Sequence, residues 1–182
     1  TDYLDQKQSI KQFYNNFPDM KGFASQINEK KKSFDSATRL KLVTVLKDQY
    51  RNLAVTEATT ENINSLENEE TFTITTGHQL NLFTGPLYFL YKIISTINLT
   101  ETLTEQFPNQ RFVPVFWMAT EDHDFEEINY FNFKGKKVTW DRPNGGAVGR
   151  FSLEGLQEVH AHFSQQLGDT KNAIFLSQLF EK

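Results

Sequence analysis

The stretch "TITTGHQLNLFTGPLYFLYK", residues 73 to 92, passes from β-branched residues through two glycines into an apolar helical pattern, and it limits the fold more than any other feature. Residues 71 to 76 read as a short strand ending at Gly77, residues 86 to about 103 as a helix, and "FVPVFWMA", residues 112 to 119, as an almost wholly apolar strand. Strand, helix and strand at this spacing make a β-α-β crossover, which sets the two strands parallel in a sheet covered by helices. The expected class is therefore α/β. Pro114 cannot donate to a ladder, which counts against a central position for the second strand.

The flanks fit around that unit. Residues 1 to 70 read as an N-terminal helical segment packing on a core that occupies 71 to 182. In "SATRLKLVTVLKDQYRNL", residues 36 to 53, Leu40, Val43, Leu46, Tyr50 and Leu53 recur three or four apart, one stripe of an amphipathic helix starting near Ser36. Upstream, Phe13, Tyr14, Phe17, Phe23 and Phe34 stand among Lys, Asn, Pro and Gly, a pattern of short helices and turns. "TEATTENINSLENEE", residues 56 to 70, is polar and acidic, a short surface helix plus connector. Beyond the crossover, residues 130 to 133 and 137 to 140 read as strands joined by Lys134-Gly135-Lys136, and helical patterns follow at 153 to 167 and 173 to 180. The final "AIFLSQLFEK" has no capping residue, as a truncated chain would show.

With 182 residues and 17 Phe the chain is long enough to bury a core. Its net charge of −4 and scattered lysines, Lys30 to Lys32 excepted, argue against nucleic acid as a partner. No apolar run approaches the roughly 18 to 20 residues of a membrane span, and the chain reads as cytoplasmic. Cysteine is absent, so no thiolate of this stretch serves as nucleophile.

In open parallel sheets ligands bind beyond the carboxyl ends of the strands, which puts chemistry on the loop from Gly77 to Gly85. Gly85 as cap and Pro86 at the first helical position would leave the amides of Leu87 and Tyr88 pointing outward with the positive end of the helix dipole, a place for an anion. Tyr88, Lys92 and Ser95 form a polar stripe between Leu87, Leu90, Ile94 and Ile97, which are expected to face the core. The plainer alternative is that the glycines only shape turns and Lys92 is solvated.

Directly after the apolar strand comes "ATEDHDFEEI", residues 119 to 128. If the strand continues, Glu121 and His123 point one way and Asp122 and Asp124 the other; a helical turn instead brings Asp122 near Glu126. Either geometry gathers acid at a strand end, suited to orienting an amine or to acid–base work, though an exposed acidic helix start would use the same residues. His78, His123 and Asp124 form a minority metal set that matches no established spacing. His160 and His162 are expected on different faces of a helix, as surface residues. "DRPNGGAVGR", residues 141 to 150, lacks a phosphate-loop ending; it is either an ordinary turn or a loop from which Arg142 or Arg150 reaches an anionic substrate.

"TGHQLNLFTGPLYFLYK", "VPVFWMATEDHDFEEIN" and "GGAVGRFSLEGL" together resemble, in order and spacing, the successive motifs of the bacillithiol biosynthesis cysteine-adding enzyme family. The resemblance covers about residues 36 to 167 and is strongest from 72 to 155. It implies a Rossmann-like three-layer parallel sheet, similar to nucleotidylyltransferases and class I synthetases, incomplete here because members are several times longer and carry a coiled coil that forms a homodimer. It also implies a ligase that joins L-cysteine to the amino group of glucosaminyl malate, with an adenylate or phosphate intermediate, ATP or ADP as cofactor, and no metal. By analogy Gly77, His78, Gln79, Gly85 and Pro86 would hold nucleotide or substrate phosphate, with Tyr88, Lys92 and Arg150 close by. Glu121, Asp122, His123 and Asp124 would bind an amine and withdraw its proton as the amide forms. On this resemblance the fragment alone is expected to be inactive. Two alternatives stand beside it: a metal-assisted hydrolase using His78, His123 and Asp124, and a noncatalytic interaction domain.

Overall fold

The computed structural model describes residues 1–143 and 145–181; Asn144, inside the glycine-rich stretch, and Lys182 lie outside the described residues. The chain divides into two compact units, Thr1–Ile74 with Thr100–Val113, and Thr75–Leu99 with Pro114–Lys182.

The first unit opens with a 3-10 turn at Gln8–Phe13, followed by α1 (Met20–Ser33), α2 (Ser36–Tyr50) and α3 (Glu57–Ser65). Each helix starts on a side chain that accepts an otherwise orphaned amide: Asp19 from Gly22, Asp35 from Thr38, Thr56 from Thr59. The helix at 36–50 was legible, and its buried face keeps only Val43 and Leu46 of the expected stripe. Leu40 and Leu53 are exposed, while Arg39 and Val43 are buried and Leu42 and Leu46 half-buried beside them. The reason is Arg39. Its guanidinium donates to the carbonyl oxygens of Leu66, Thr71 and Glu69 at 3.1, 2.9 and 3.3 Å, which ties this side of α2 to the α3 end and the first residues of the following strand. Phe23 and Phe34 line an apolar cavity of about 260 Å³ with Ile27 and Leu42, whereas Phe13 stays exposed and Tyr14 and Phe17 cluster on Tyr3.

β1 (Thr71–Gln79), α4 (Leu87–Gln106) and β2 (Arg111–Ala119) form the expected crossover. The two strands are neighbours in one sheet, and their partners rise in step: the Arg111 amide donates to the Glu70 carbonyl, Phe72 lies beside Phe112, and Gly77 abuts Trp117. The pairing is therefore parallel, and the chain is an α/β protein. β1 runs three residues further than the sequence pattern indicated, so Gly77, His78 and Gln79 belong to the strand and not to the loop. A Cβ at Gly77 would stand 2.9 Å from the Trp117 carbonyl oxygen, which explains a glycine inside a strand. The apolar stripe of α4 is also corrected. Leu87, Leu90, Ile94 and Ile97 are all exposed, Leu87 by 66%. Apolar periodicity says which face a helix can bury, not that a neighbour stands on it.

The second unit continues with the single-turn helix α5 (Phe125–Ile128), the hairpin β3 (Tyr130–Phe133) and β4 (Lys136–Thr139), a 3-10 turn at Val148–Arg150, α6 (Leu156–Leu167) and α7 (Lys171–Phe180). β3 and β4 pair antiparallel across Lys134-Gly135, both at positive φ, 49° and 75°, as a two-residue hairpin turn requires. Leu82, Phe125, Ile128, Trp140 and Val148 form its core. His160 is not a surface residue: it is half-buried, with Nε2 3.2 Å from the Ser177 carbonyl, joining α6 to α7, while His162 is exposed. Among the described residues no helix is long and apolar enough to cross a membrane.

Candidate functional site

Within the second unit, the end of β1, the turn after it and the start of α4 enclose a cavity of about 480 Å³. Five of the residues singled out in the sequence line it: His78, Gln79, Gly85, Pro86 and Tyr88. Asn81, Phe83, Tyr130 and Asn132 complete much of the wall.

Local geometry fixes these groups. α4 begins at Leu87, so Pro86 precedes the first helical residue, and its carbonyl accepts from the Phe89 amide at 2.9 Å. Gly85 has φ 60°, a left-handed conformation that favours glycine, and a Cβ there would meet the Asn81 side chain at 2.6 Å. Phe83 adopts φ 45° without being glycine. Rings packed on it hold that strained backbone, Phe180 at 4.6 Å and Phe131 at 5.6 Å.

His78 is tied on both sides of its ring. Nε2 lies 2.5 Å from the Tyr88 hydroxyl, and Nδ1 lies 3.0 Å from the Asn81 amide nitrogen and 3.1 Å from the Gln79 carbonyl oxygen. Lys92 does not extend toward the cavity: its ammonium donates to the carbonyl oxygen of Gly77, pinning α4 to β1 and leaving two of its N–H groups for other partners.

The acidic run after β2 is neither strand nor helix. Asp122 Oδ1 accepts from the amides of His123 and Asp124 at 2.7 and 3.1 Å, closing a turn from which α5 starts at Phe125. The Asp124 amide, ahead of the Gln79 side chain, the His123 amide and the His123 charge, holds the Asp122 carboxyl below its ordinary value of 3.8, against burial that pushes it up. The glycine-rich loop is sewn to this turn, Val148 donating to the Asp122 carbonyl at 2.8 Å and Gly149 to that of Thr120 at 2.9 Å. Glu121, His123 and Asp124 are exposed, and none of the four cluster residues lines the cavity.

Gln79 links the two places. Its amide nitrogen donates to Glu127 Oε2 at 3.1 Å, and its side chain is among the groups that hold the Asp122 carboxyl below its ordinary value. Glu127 lines the cavity and went unnoticed in the sequence, where it is one more acid of an acidic run. What selects it is α5: Phe125 and Ile128 are buried, which leaves Glu126 and Glu127 outside, and only Glu127 reaches the cavity wall.

A minority reading and an expected contact are not met. Among the described residues no three His, Asp or Glu side chains gather closely enough to hold a metal ion, so His78, His123 and Asp124 do not form a ligand set. Arg142 is not free to reach a substrate: its guanidinium lies 4.5 Å from the Phe151 ring centre and donates to the Ser152 carbonyl, and Arg150, though exposed, does not line the cavity.

The model of the family described as bacillithiol biosynthesis BshC, N-terminal Rossmann-like domain, matches residues 1–182, wider than the stretch on which the motifs resemble it. A protein of Flavobacterium johnsoniae is 59% identical over 180 residues, covering 99% of this chain and 34% of the relative. One of Christiangramia forsetii is 57% identical over 185 residues, covering 100% of this chain and 34% of the relative, and one of Bacillus cereus is 36% identical over 139 residues, covering 75% and 25%. All three carry the name "Putative cysteine ligase BshC". The chain thus spans about a third of the length of the first two of these relatives. Matched over its whole length, the chain belongs to the bacillithiol biosynthesis BshC family, of which it carries the N-terminal Rossmann-like domain.

Proposed function

We propose that the full-length protein containing this chain is a cytoplasmic cysteine ligase of bacillithiol biosynthesis, which joins the carboxyl group of L-cysteine to the amino group of glucosaminyl malate. Membership of the family supports the reaction class, and one observation supports the place: Gln79 couples a concave, polar-lined cavity to the Asp122 turn. In amide formation the amine nitrogen attacks the activated carboxyl carbon, the C–N bond forms, and the leaving group departs with its bonding pair. An ammonium has no lone pair for this attack, so a base must take a proton from it. Glu121, Asp122, His123 and Asp124 are the groups assigned to that task, with Gln79 orienting Asp122.

ATP or ADP is the cofactor proposed. The start of α4 offers amides and a dipole to a phosphate, and His78 stands beside it, but among the described residues the cavity lining includes no lysine or arginine and does include Glu127. A phosphate site needs cations from the remainder of the full-length protein. Residues 1 to 182 alone are accordingly inactive, and a homodimer is the assembly proposed for the whole protein.

The test is bacillithiol itself, measured by mass spectrometry in a strain lacking its cysteine-adding enzyme and supplied with the full-length protein, wild type or His123→Ala. Restoration by wild type alone supports both the pathway and the cluster. Restoration by both removes the cluster from the chemistry, and restoration by neither, with both folded, removes the reaction.

A further inference from the structure

We propose that Glu127, held by Gln79 on the cavity wall, is the residue that receives the amino group of the acceptor substrate. The inference rests on the ligase reading and deepens it, because it moves amine recognition from the acidic run that the sequence advertises to a carboxylate that the fold selects.

Three observations carry it. First, α5 has one turn only, and burial of Phe125 and Ile128 leaves no choice about which side of it faces outward. Glu127 therefore reaches the cavity by construction of the fold, while Glu126, its neighbour, does not line it. Second, the carboxylate is positioned but not consumed. Gln79 donates to Oε2 at 3.1 Å, and Oε1 has no hydrogen-bond or ion-pair partner among the described residues. Third, among the described residues Glu127 is the only Asp or Glu lining the cavity, and no lysine or arginine of those residues lines it to neutralise that charge. On the hairpin, Lys137 lies over the Tyr130 ring at 3.9 Å from its centre and is not part of the lining.

A cavity with one oriented anion, two amide side chains at Asn81 and Asn132, and aromatic walls at Phe83, Tyr88 and Tyr130 suits a ligand that carries an ammonium among hydroxyl groups. The ammonium would donate to Glu127 Oε1, and the hydroxyls would meet the amides. An amino sugar has this composition, and L-cysteine lacks the hydroxyls.

The test uses the full-length enzyme and separates the two substrates. Glu127→Gln keeps the shape and removes the charge, and KM for glucosaminyl malate should rise about tenfold or more, as expected for loss of a charge-assisted hydrogen bond, with KM for L-cysteine unchanged. Glu126→Gln, on the same turn and outside the cavity, should leave both constants unchanged. Glu127→Asp, which keeps the charge on a shorter stem, should recover part of the loss. The inference is overturned if Glu127→Gln leaves KM for the acceptor within twofold of wild type, or raises both KM values together. A wild-type enzyme that makes no product from these substrates overturns the ligase reading itself, and the assignment of Glu127 falls with it.

Discussion

Nε2 of His78 on β1 stands 2.5 Å from the hydroxyl of Tyr88 in the first turn of α4, with ring centres 5.2 Å apart. The pair joins the end of a strand to the start of the helix that follows it, inside the cavity wall. Asn81 holds the other ring nitrogen, so the Tyr88 hydroxyl is aimed by two successive contacts rather than by packing alone. Tyr88→Phe preserves the ring contact and removes only the last hydrogen bond, worth about 1 kcal/mol. Turnover by the full-length enzyme should fall roughly fivefold in kcat/KM, with little change in thermal midpoint because Tyr88 is half exposed. Unchanged kinetics would show that this hydroxyl does not serve the reaction.

Asp122 gives a pH prediction with a definite sign. Its carboxyl is held below 3.8 by the Asp124 amide first, so the closed turn is favoured at any pH above that value. Because the folded value is depressed, this contribution is lost only as the pH falls below 3.8 and through the lower folded value. Carbon-detected titration of the Asp122 carboxyl should give a midpoint below 3.8, and the Asp124 amide shift should follow the same curve. In Asp122→Asn that component of the amide curve should vanish. A midpoint at or above 3.8 would mean that the turn does not bind the carboxylate.

Arg39 carries a stability prediction in the first unit. It is only 3% exposed and donates to three main-chain carbonyls that belong to the α3 end and the entry of β1. Arg39→Met keeps the apolar stem and strands these acceptors, at a cost of about 3 kcal/mol. Arg39→Lys should recover little, since one ammonium cannot reproduce the planar fork. Hydrogen exchange in the full-length protein should show faster opening of α2 and of residues 71 to 74, with the hairpin at 130–139 unchanged. Equal protection in wild type and Arg39→Met would sink the claim.

How much of this was legible in the sequence depends on what a residue pattern encodes. The β-α-β crossover was readable because strand and helix periods and the apolar content of residues 112 to 119 are local properties. The extra length of β1 was not, because a glycine normally ends a strand, and only the closeness of Trp117 explains Gly77 within one. The exposed stripe of α4 was misjudged for a related reason: the chain has a third of its relatives' length, and periodicity carries no record of where a neighbour stands. The cavity residues His78, Gln79, Gly85, Pro86 and Tyr88 came from one continuous motif and were found together. Glu127 was missed because its selection depends on which side of a four-residue helix is buried.

Gly149 tests whether the glycine-rich loop supports the acidic turn. Its amide donates to the Thr120 carbonyl, and a Cβ added there would stand 2.5 Å from Thr120 Cβ and 2.9 Å from that carbonyl oxygen. Both are closer than real Cβ contacts allow, and the carbonyl is main chain that cannot swing aside. Gly149→Ala must therefore push the loop away from residues 120 to 122, at about 1–3 kcal/mol, and Val148 would lose its bond to the Asp122 carbonyl. Gly146 is the contrast: nothing lies within 4 Å of a Cβ there, and its φ of 79° makes alanine costly by backbone conformation alone. Gly149→Ala should shift the His123 and Asp124 amide signals and lower turnover of the full-length enzyme, while Gly146→Ala should lower the melting midpoint without moving those signals. If Gly149→Ala leaves the His123 and Asp124 signals in place, the loop is not what holds the turn, and Asp122 depends on its own two amide bonds.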